Sequence, residues 1–461
     1  MNAASKTMRA KKIIYGILIF ILLSIAGAAL YLNSLMPIIT GYAAKNLCSA
    51  VFISGRQQEA VESLDLDFSF ISFVNSKIDT MEKTVTSRFL WGKSTALYRK
   101  GFGATLIQEK DIEELKNQNF PAITIPYDKD TLDWPLGDKI PAVPDDGFSE
   151  ALDDLSRKLI TENGYGGYPF AFMVLYKGIP VAEAYKPEFS KDTPFLSWSM
   201  AKSITSALVG IMVEKEQLNL LEDKLLPAWS GDNRSAISLN NLLHMQSGLE
   251  WNEDYGNRSD VTLMLHCEPG FAQYAYNKPL EHEPGTHWYY SSGTTNIVSY
   301  IMRRRFDNDS AYYTFPHTEF FHKTGITGAV FETDESGTFV ASSYLYMTAR
   351  DYARFGLLYL QDGMFAGERI LPVGWVDYTS SPASDSGGAY GSFFWLNMDG
   401  SMPGAPGGMY MCQGHDGQRI FIIPSQDLVV VILGYSPKPD NTIDFNLVLA
   451  DIVGIAEKNL H

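Results

Sequence analysis

Residues 195–207 read Phe195-Leu196-Ser197-Trp198-Ser199-Met200-Ala201-Lys202-Ser203-Ile204-Thr205-Ser206-Ala207. Within them Ser199 and Lys202 stand three apart, the only S-x-x-K of the chain. Ile204, Leu208, Ile211 and Met212 recur at helical spacing, which predicts a helix over residues 199–216. Side chains three apart on a helix are neighbours. The spacing therefore sets a hydroxyl beside an amine at a helix N-terminus, where backbone N–H groups point outward. A serine attacks only if its proton is taken, and a partly desolvated lysine is neutral enough to take it. A plain amphipathic helix with a serine cap would carry the same residues, so the pair gains meaning from its company.

Two later stretches supply that company. Pro284-Gly285-Thr286-His287-Trp288-Tyr289-Tyr290-Ser291-Ser292-Gly293 is a turn-rich loop ahead of a helix. It offers the phenol of Tyr290, as phenolate or as proton relay to a leaving group; an isolated tyrosine would more often be a packing residue. Gly414-His415-Asp416-Gly417-Gln418-Arg419 runs straight into an apolar strand. Glycine at a strand start lets substrate approach the backbone, and an N–H there, with that of Ser199, would form an oxyanion hole. On a plainer reading His415 is a turn histidine with a structural hydrogen bond.

The order S-x-x-K, Y-x-S, H-x-G before a C-terminal strand resembles the serine β-lactamase and penicillin-binding-protein superfamily, in its class C-like branch. The residues are Ser199-Met200-Ala201-Lys202, Tyr290-Ser291-Ser292 and His415-Asp416-Gly417. Leu243-His244-Met245-Gln246-Ser247-Gly248-Leu249 resembles the family's helix followed by an S-G-L turn, and Asp351-Tyr352-Ala353-Arg354-Phe355-Gly356 its D-x-A-R-F-G helix. The resemblance runs from about Phe148 to the C-terminus. It implies that Ser199 forms an acyl-enzyme, that Lys202 is its base, and that Tyr290 shares the proton transfer. It further implies that the N–H groups of Ser199 and Gln418 hold the oxyanion, and that Ser292 offers a hydroxyl to substrate or to Lys202. Enzymes that hydrolyse β-lactams usually carry lysine where His415 stands and a hydroxyl where Asp416 stands. Asp416 would repel the β-lactam carboxylate. The H-x-G form is similar to the esterase and amidase branch, which includes the 6-aminohexanoate-dimer hydrolases, as is Ser247-Gly248-Leu249-Glu250-Trp251-Asn252-Glu253-Asp254-Tyr255. In that branch Tyr255 would line the substrate pocket. The expected substrate is a small carboxylic ester or linear amide. The alternatives are a cell-wall D-Ala peptidase or β-lactam-binding protein, and a non-catalytic sensor on the same fold. G-x-S-x-G is absent, against an α/β-hydrolase.

Around this centre the pattern predicts an α+β fold. A helix over 148–160 precedes a hairpin, Phe170–Tyr176 and Ile179–Tyr185, turning at Lys177-Gly178. Further helices are expected over 239–245, 294–304, 349–361 and 445–456, and strands over 391–396, 409–412, 418–423 and 428–433. One antiparallel sheet made from the first and last segments, with helices on its faces, follows.

The N-terminal third reads differently. Ile13 to Leu32 carries no charge and is long enough for a hydrocarbon core, behind Lys6, Arg9, Lys11 and Lys12. By the positive-inside rule this is a single-pass anchor in the inner (cytoplasmic) membrane, with the rest of the chain on the periplasmic or extracytoplasmic side. A signal peptide cut near Ala26-Gly27-Ala28 is the other reading. The organisation is thus a basic arm (1–12), an anchor (13–32), a β-rich lead-in with a Pro-rich connector (33–146), and the hydrolase domain (147–461). The chain is expected to leave the membrane through Pro37 and Gly41, with lead-in strands over 66–70, 83–86 and 95–98. The net charge of −16 opposes nucleic-acid binding. Neither C-x-x-C nor H-E-x-x-H occurs, so no metal and no cofactor are expected. Cys48, Cys267 and Cys412 leave at least one thiol free or shared between chains, and a Cys267–Cys412 bridge fits the count without being fixed by it.

Overall fold

The computed structural model describes residues 3–141, 147–437 and 441–459. It begins with one helix, α1 (Ala3–Phe52), which has two characters. From Ile13 to Tyr31 every side chain is exposed. From Met36 onward one face is buried: Met36, Ile39, Thr40, Ala43, Ala44, Leu47 and Cys48 recur at three and four residues. The helix does not end at Pro37, where the sequence suggests an exit. Pro37 is exposed, so the hydrogen bond it forfeits falls on the outer face, and burial of the opposite face carries the helix on.

That face lies on a four-stranded antiparallel sheet, β1 (Asn75–Asp79), β2 (Thr84–Phe89), β3 (Gly92–Arg99) and β4 (Gly103–Leu106), in sequential order. Leu47 and Cys48 pack with Val85, Ala96 and Ala104. The segment 66–70, expected as a strand, instead leads into a 3₁₀ turn over Ser69–Phe73 with Ser69 at φ +48°. Its phenylalanines alternate with polar residues but have no neighbouring strand to pair with.

The main body is built on a six-stranded antiparallel sheet. After α2 (Gly147–Ser156), which continues as a π turn to Thr161, come β5 (Tyr168–Tyr176) and β6 (Ile179–Tyr185). Lys177 and Gly178 between them adopt positive φ, as a two-residue hairpin turn requires. The central helices are α3 (Met200–Glu214), α4 (Ser292–Arg303) and α5 (Ala349–Leu360). Strands β7 (Trp395–Leu396), β8 (Tyr410–Gln413), β9 (Arg419–Ile423) and β10 (Leu428–Tyr435) close the sheet in the order β7-β8-β9-β10-β5-β6, and α6 (Phe445–Asn459) ends the chain. Of the strand expected over 391–396 only Trp395 and Leu396 pair; Phe393 sits at φ +60° in a turn closed by Gly391 N–H to Phe394 O.

Both faces of the sheet are buried. Ala171, Met173, Leu175, Val429, Val431 and Leu433 face the helical layer that holds α3 and α5. Phe172, Val174, Val430 and Ile432 face α2 and α6. Period-two alternation of apolar residues on both sides explains why these strands read as continuous apolar runs. The Pro-rich connector is strapped down by α5: Arg354 donates to Pro135 O, Gly137 O and Asp138 Oδ1. All three cysteines are free thiols, so no Cys267–Cys412 bridge forms.

Candidate functional site

Ser199 caps α3 at its N-terminus, and the helix behind it is buried on all sides from Met200 to Met212. Trp198 before it is held at φ +45°, a costly conformation for a bulky residue. It is fixed among aromatic rings, with Tyr42 stacked at 6.4 Å and His415 edge-on at 5.3 Å. Lys202 lies one turn into α3 and is 1% exposed. Its Nζ stands 3.0 Å from Ser199 Oγ, 3.0 Å from Ser292 Oγ and 2.9 Å from Ser342 O. All three partners are neutral oxygens. Burial accordingly pulls the amine down to about 8, against the opposing pull of the Glu253 carboxylate.

Glu253 does not touch Lys202. Ser292, buried at the start of α4, stands between them: its Oγ donates to Glu253 Oε1 and its N–H to Oε2 at 2.9 Å. Trp251 Nε1 also donates to Oε2. A chain of contacts Ser199–Lys202–Ser292–Glu253 results. Glu253 has no spacing signal in the sequence, being a lone acid in a loop; its place in the stretch 247–255 is the available cue.

Tyr290 faces the pair, its ring centroid 4.8 Å from Lys202 Nζ. Burial, and next the Glu253 carboxylate, hold its phenol well above the ordinary value, against the pull of the Ser199 hydroxyl and Arg419. It is therefore a neutral phenol, which favours the relay over the phenolate of the two sequence readings. Among the described residues neither the Ser199 nor the Gln418 backbone N–H has a hydrogen-bond partner. The Gln418 side chain turns away to bridge the N–H and C=O of Gly434.

Ser199, Tyr290, Tyr255, His415 and Gly417 line one cavity of ≈ 800 Å³. His415 makes no hydrogen bond to Ser199, Lys202 or Tyr290 among the described residues; it stacks on Tyr255 at 4.7 Å and sets its Nε2 3.3 Å from Asp416 Oδ1. Gly417, at φ +98°, also answers to close packing: a Cβ there would come within 2.6 Å of Ser436 Cβ, just past the end of β10. Tyr42 of α1 and Phe68 of the lead-in also wall the cavity. They lie more than a hundred residues before Ser199, and only tertiary structure brings them there.

The beta-lactamase family model matches residues 161–450. The chain belongs to the beta-lactamase family. It is 25% identical over 331 residues to the 6-aminohexanoate-dimer hydrolase of Paenarthrobacter ureafaciens, covering 65% of this chain and 80% of that one. A penicillin-binding protein homologue from Caulobacter crescentus superposes with TM-score 0.54 at 13% identity, over 68% of this chain and 99% of the other. EstCE1, a hydrolase with promiscuous acyltransferase activity, gives TM-score 0.54 at 15% identity, over 66% and 98%. The family is one of serine hydrolases, and the relatives it matches here include a 6-aminohexanoate-dimer hydrolase and an acyltransferase-active hydrolase. Tyr42 and Phe68 fall outside the matched residues and are an addition to the family's frame.

Proposed function

We propose that this beta-lactamase-family protein cleaves a small carboxylic ester or linear amide through an acyl-enzyme on Ser199. The observation that carries the reading is the fully buried Lys202, 3.0 Å from Ser199 Oγ with only neutral oxygens in contact. A lysine so placed is neutral far more often near neutral pH than an exposed one. It takes the Ser199 proton as Oγ bonds to the substrate carbonyl carbon. The oxyanion receives the free N–H groups of Ser199 and Gln418. The proton then passes from Lys202, with Tyr290 as relay, to the leaving oxygen or nitrogen as that bond breaks. Water attacks the ester on Ser199 by the same route in reverse, releasing the acid and restoring the serine. Ser292 fixes the amine and links it to Glu253.

Asp416, half-buried beside His415, opposes a carboxylate at that corner, which favours the esterase and amidase branch over β-lactam hydrolysis. Residues 13–32 serve as a single-pass anchor in the cytoplasmic membrane, with the hydrolase domain outside. The exposed apolar face of α1 behind a basic arm supports this.

Intact mass after treatment with a neutral fluorophosphonate tests the chemistry. A single adduct on the wild type, absent from Ser199→Ala, is expected; no adduct on the folded wild type would leave the fold as a binding protein. A stable penicillin adduct in the same assay would favour the peptidase reading.

A further inference from the structure

Arg419 opens β9, one residue after Gln418, and is 6% exposed. It lines the cavity that holds Ser199 and Tyr290. Its Nη1 donates to Gly414 O at 2.7 Å and Gln418 O at 2.8 Å, and its guanidinium lies 4.7 Å from the Phe445 ring. The other edge is idle. Nε is buried without an acceptor, and Nη2 has none among the described residues.

A buried cation needs a counter-charge. Elsewhere the chain provides one: Arg354 holds Asp138 at 2.7 Å and Asp351 at 3.0 Å, and Arg350 holds Glu183 at 2.7 Å. Arg99 lacks a carboxylate but engages both terminal nitrogens, on Leu115 O, Gln118 Oε1 and Thr105 Oγ1. Arg419 has neither arrangement. The other charged or titratable side chains of the cavity, apart from its tyrosines, are Asp399, His415 and Asp416, and neither acid is in ion-pair contact with Arg419.

We infer that Arg419 binds an anionic arm of the substrate, of the carboxylate class, through its free Nε–Nη2 edge while Ser199 attacks the ester or amide. This rests on the hydrolase reading above and names its substrate class: a half-ester or an acyl amino acid rather than a neutral ester. The planar edge matches a carboxylate in two parallel bonds. A doubly charged phosphate suits it less, since Asp416 lines the same cavity. The anion would sit at the guanidinium, which packs 4.7 Å from the Phe445 ring and makes no ion pair with Asp416.

The test compares kcat/KM for 4-nitrophenyl hydrogen glutarate and 4-nitrophenyl butyrate on the full-length protein. The wild type should favour the half-ester at least tenfold, carried by KM. Arg419→Met should lower that ratio at least tenfold, and Arg419→Lys should keep part of it. A wild-type ratio near one, or equal ratios in wild type and variants, would overturn the inference. Fluorophosphonate labelling separates the two failures. With Ser199 labelled and the ratio at one, the Arg419 assignment alone falls. With no labelling and no turnover, the hydrolase reading falls, and calorimetry with glutarate decides Arg419 by itself. Binding weakened tenfold or more in Arg419→Met supports the anion site, and no binding to the wild type ends it. If Arg419→Met does not fold, the wild-type ratio and Arg419→Lys decide.

Discussion

Two buried lysines divide the molecule between them. Lys45 lies in α1, where the N-terminal helix enters the main body, and Lys202 lies at the start of α3; both are nearly inaccessible. Lys45 Nζ meets Glu332 Oε2 at 2.6 Å, with Ser49 Oγ at 2.9 Å and the Tyr344 ring beneath it at 3.8 Å. Lys202 meets three neutral oxygens and reaches its nearest carboxylate only through Ser292. One hydroxyl is the difference between a fastener and a base. A carboxylate in direct contact commits a buried lysine to structure. A hydroxyl in between leaves the amine close to losing its proton, which the chemistry proposed at Ser199 requires.

The comparison breaks most visibly on exchange of each lysine. Lys202→Met should cost about 10³- to 10⁴-fold in kcat/KM, in the range set by removing one proton-transfer group of a concerted set. Its stability should not fall, because an apolar chain replaces a poorly solvated amine. If kcat/KM drops less than tenfold, Lys202 is not the base.

Lys45→Met should do the reverse, lowering unfolding free energy by about 3–5 kcal/mol through the stranded Glu332 carboxylate. The double variant Lys45→Met, Glu332→Met should recover much of it in denaturant titrations. A single variant as stable as wild type would show that the pair fastens nothing.

pH sharpens the contrast. With the Lys202 amine at about 8, kcat/KM should fall below that pH with unit slope. Stability carries the same signature with a definite sign. Lys202 is depressed in the folded state, so between about 8 and its ordinary 10.5 the unfolded chain binds more protons. Stability therefore rises with pH across that window, by about 3 kcal/mol from this group. Lys202→Met should flatten that part of the curve, and an unchanged curve would refute the assignment.

Subtler is Glu253→Gln. The carboxylate holds the Lys202 amine up, so its loss should move the acid limb of the pH–rate profile to lower pH and reduce the plateau about tenfold. A profile that does not move would disconnect Glu253 from the amine. The smallest change is expected from Tyr255→Phe. Its Oη is buried with no partner among the described residues, so stability should stay within about 1 kcal/mol of wild type, and kcat/KM should fall only severalfold.

The sequence discloses these regions unequally. Ser199, Lys202, Tyr290 and Ser292 could be found because local spacing marks them, and the structure brings those four together. The sheet could be read because its apolar strands are bounded by turn residues such as Lys177-Gly178. Glu253 and Arg419 lie inside the stretches 247–255 and 414–419, but what marks them, a serine 39 residues on and an unpartnered edge in a cavity, exists only in three dimensions. Helix α1 past Pro37 was hidden for a related reason. Proline is a local signal to stop, while the small sheet that keeps the helix going is a tertiary fact. At residues 66–70 the error ran the other way: a good alternating pattern had no strand to pair with.

On the proposed anchoring, the unbroken α1 makes the N-terminal segment a ruler as well as a tether. At about 1.5 Å per residue, the ten residues from Leu32 to Tyr42 place the cavity wall roughly 15 Å beyond the last of the apolar span, within one continuous helix that carries Pro37 on its exposed side. Reach and orientation are then set by one rod and do not wander as they would on a flexible leash. The rod is also divisible. Among the residues whose burial is described, a cut near residue 28 would discard only exposed turns and leave Met36, Tyr42 and Lys45 seated, so the released and tethered forms would present the same pocket at different addresses.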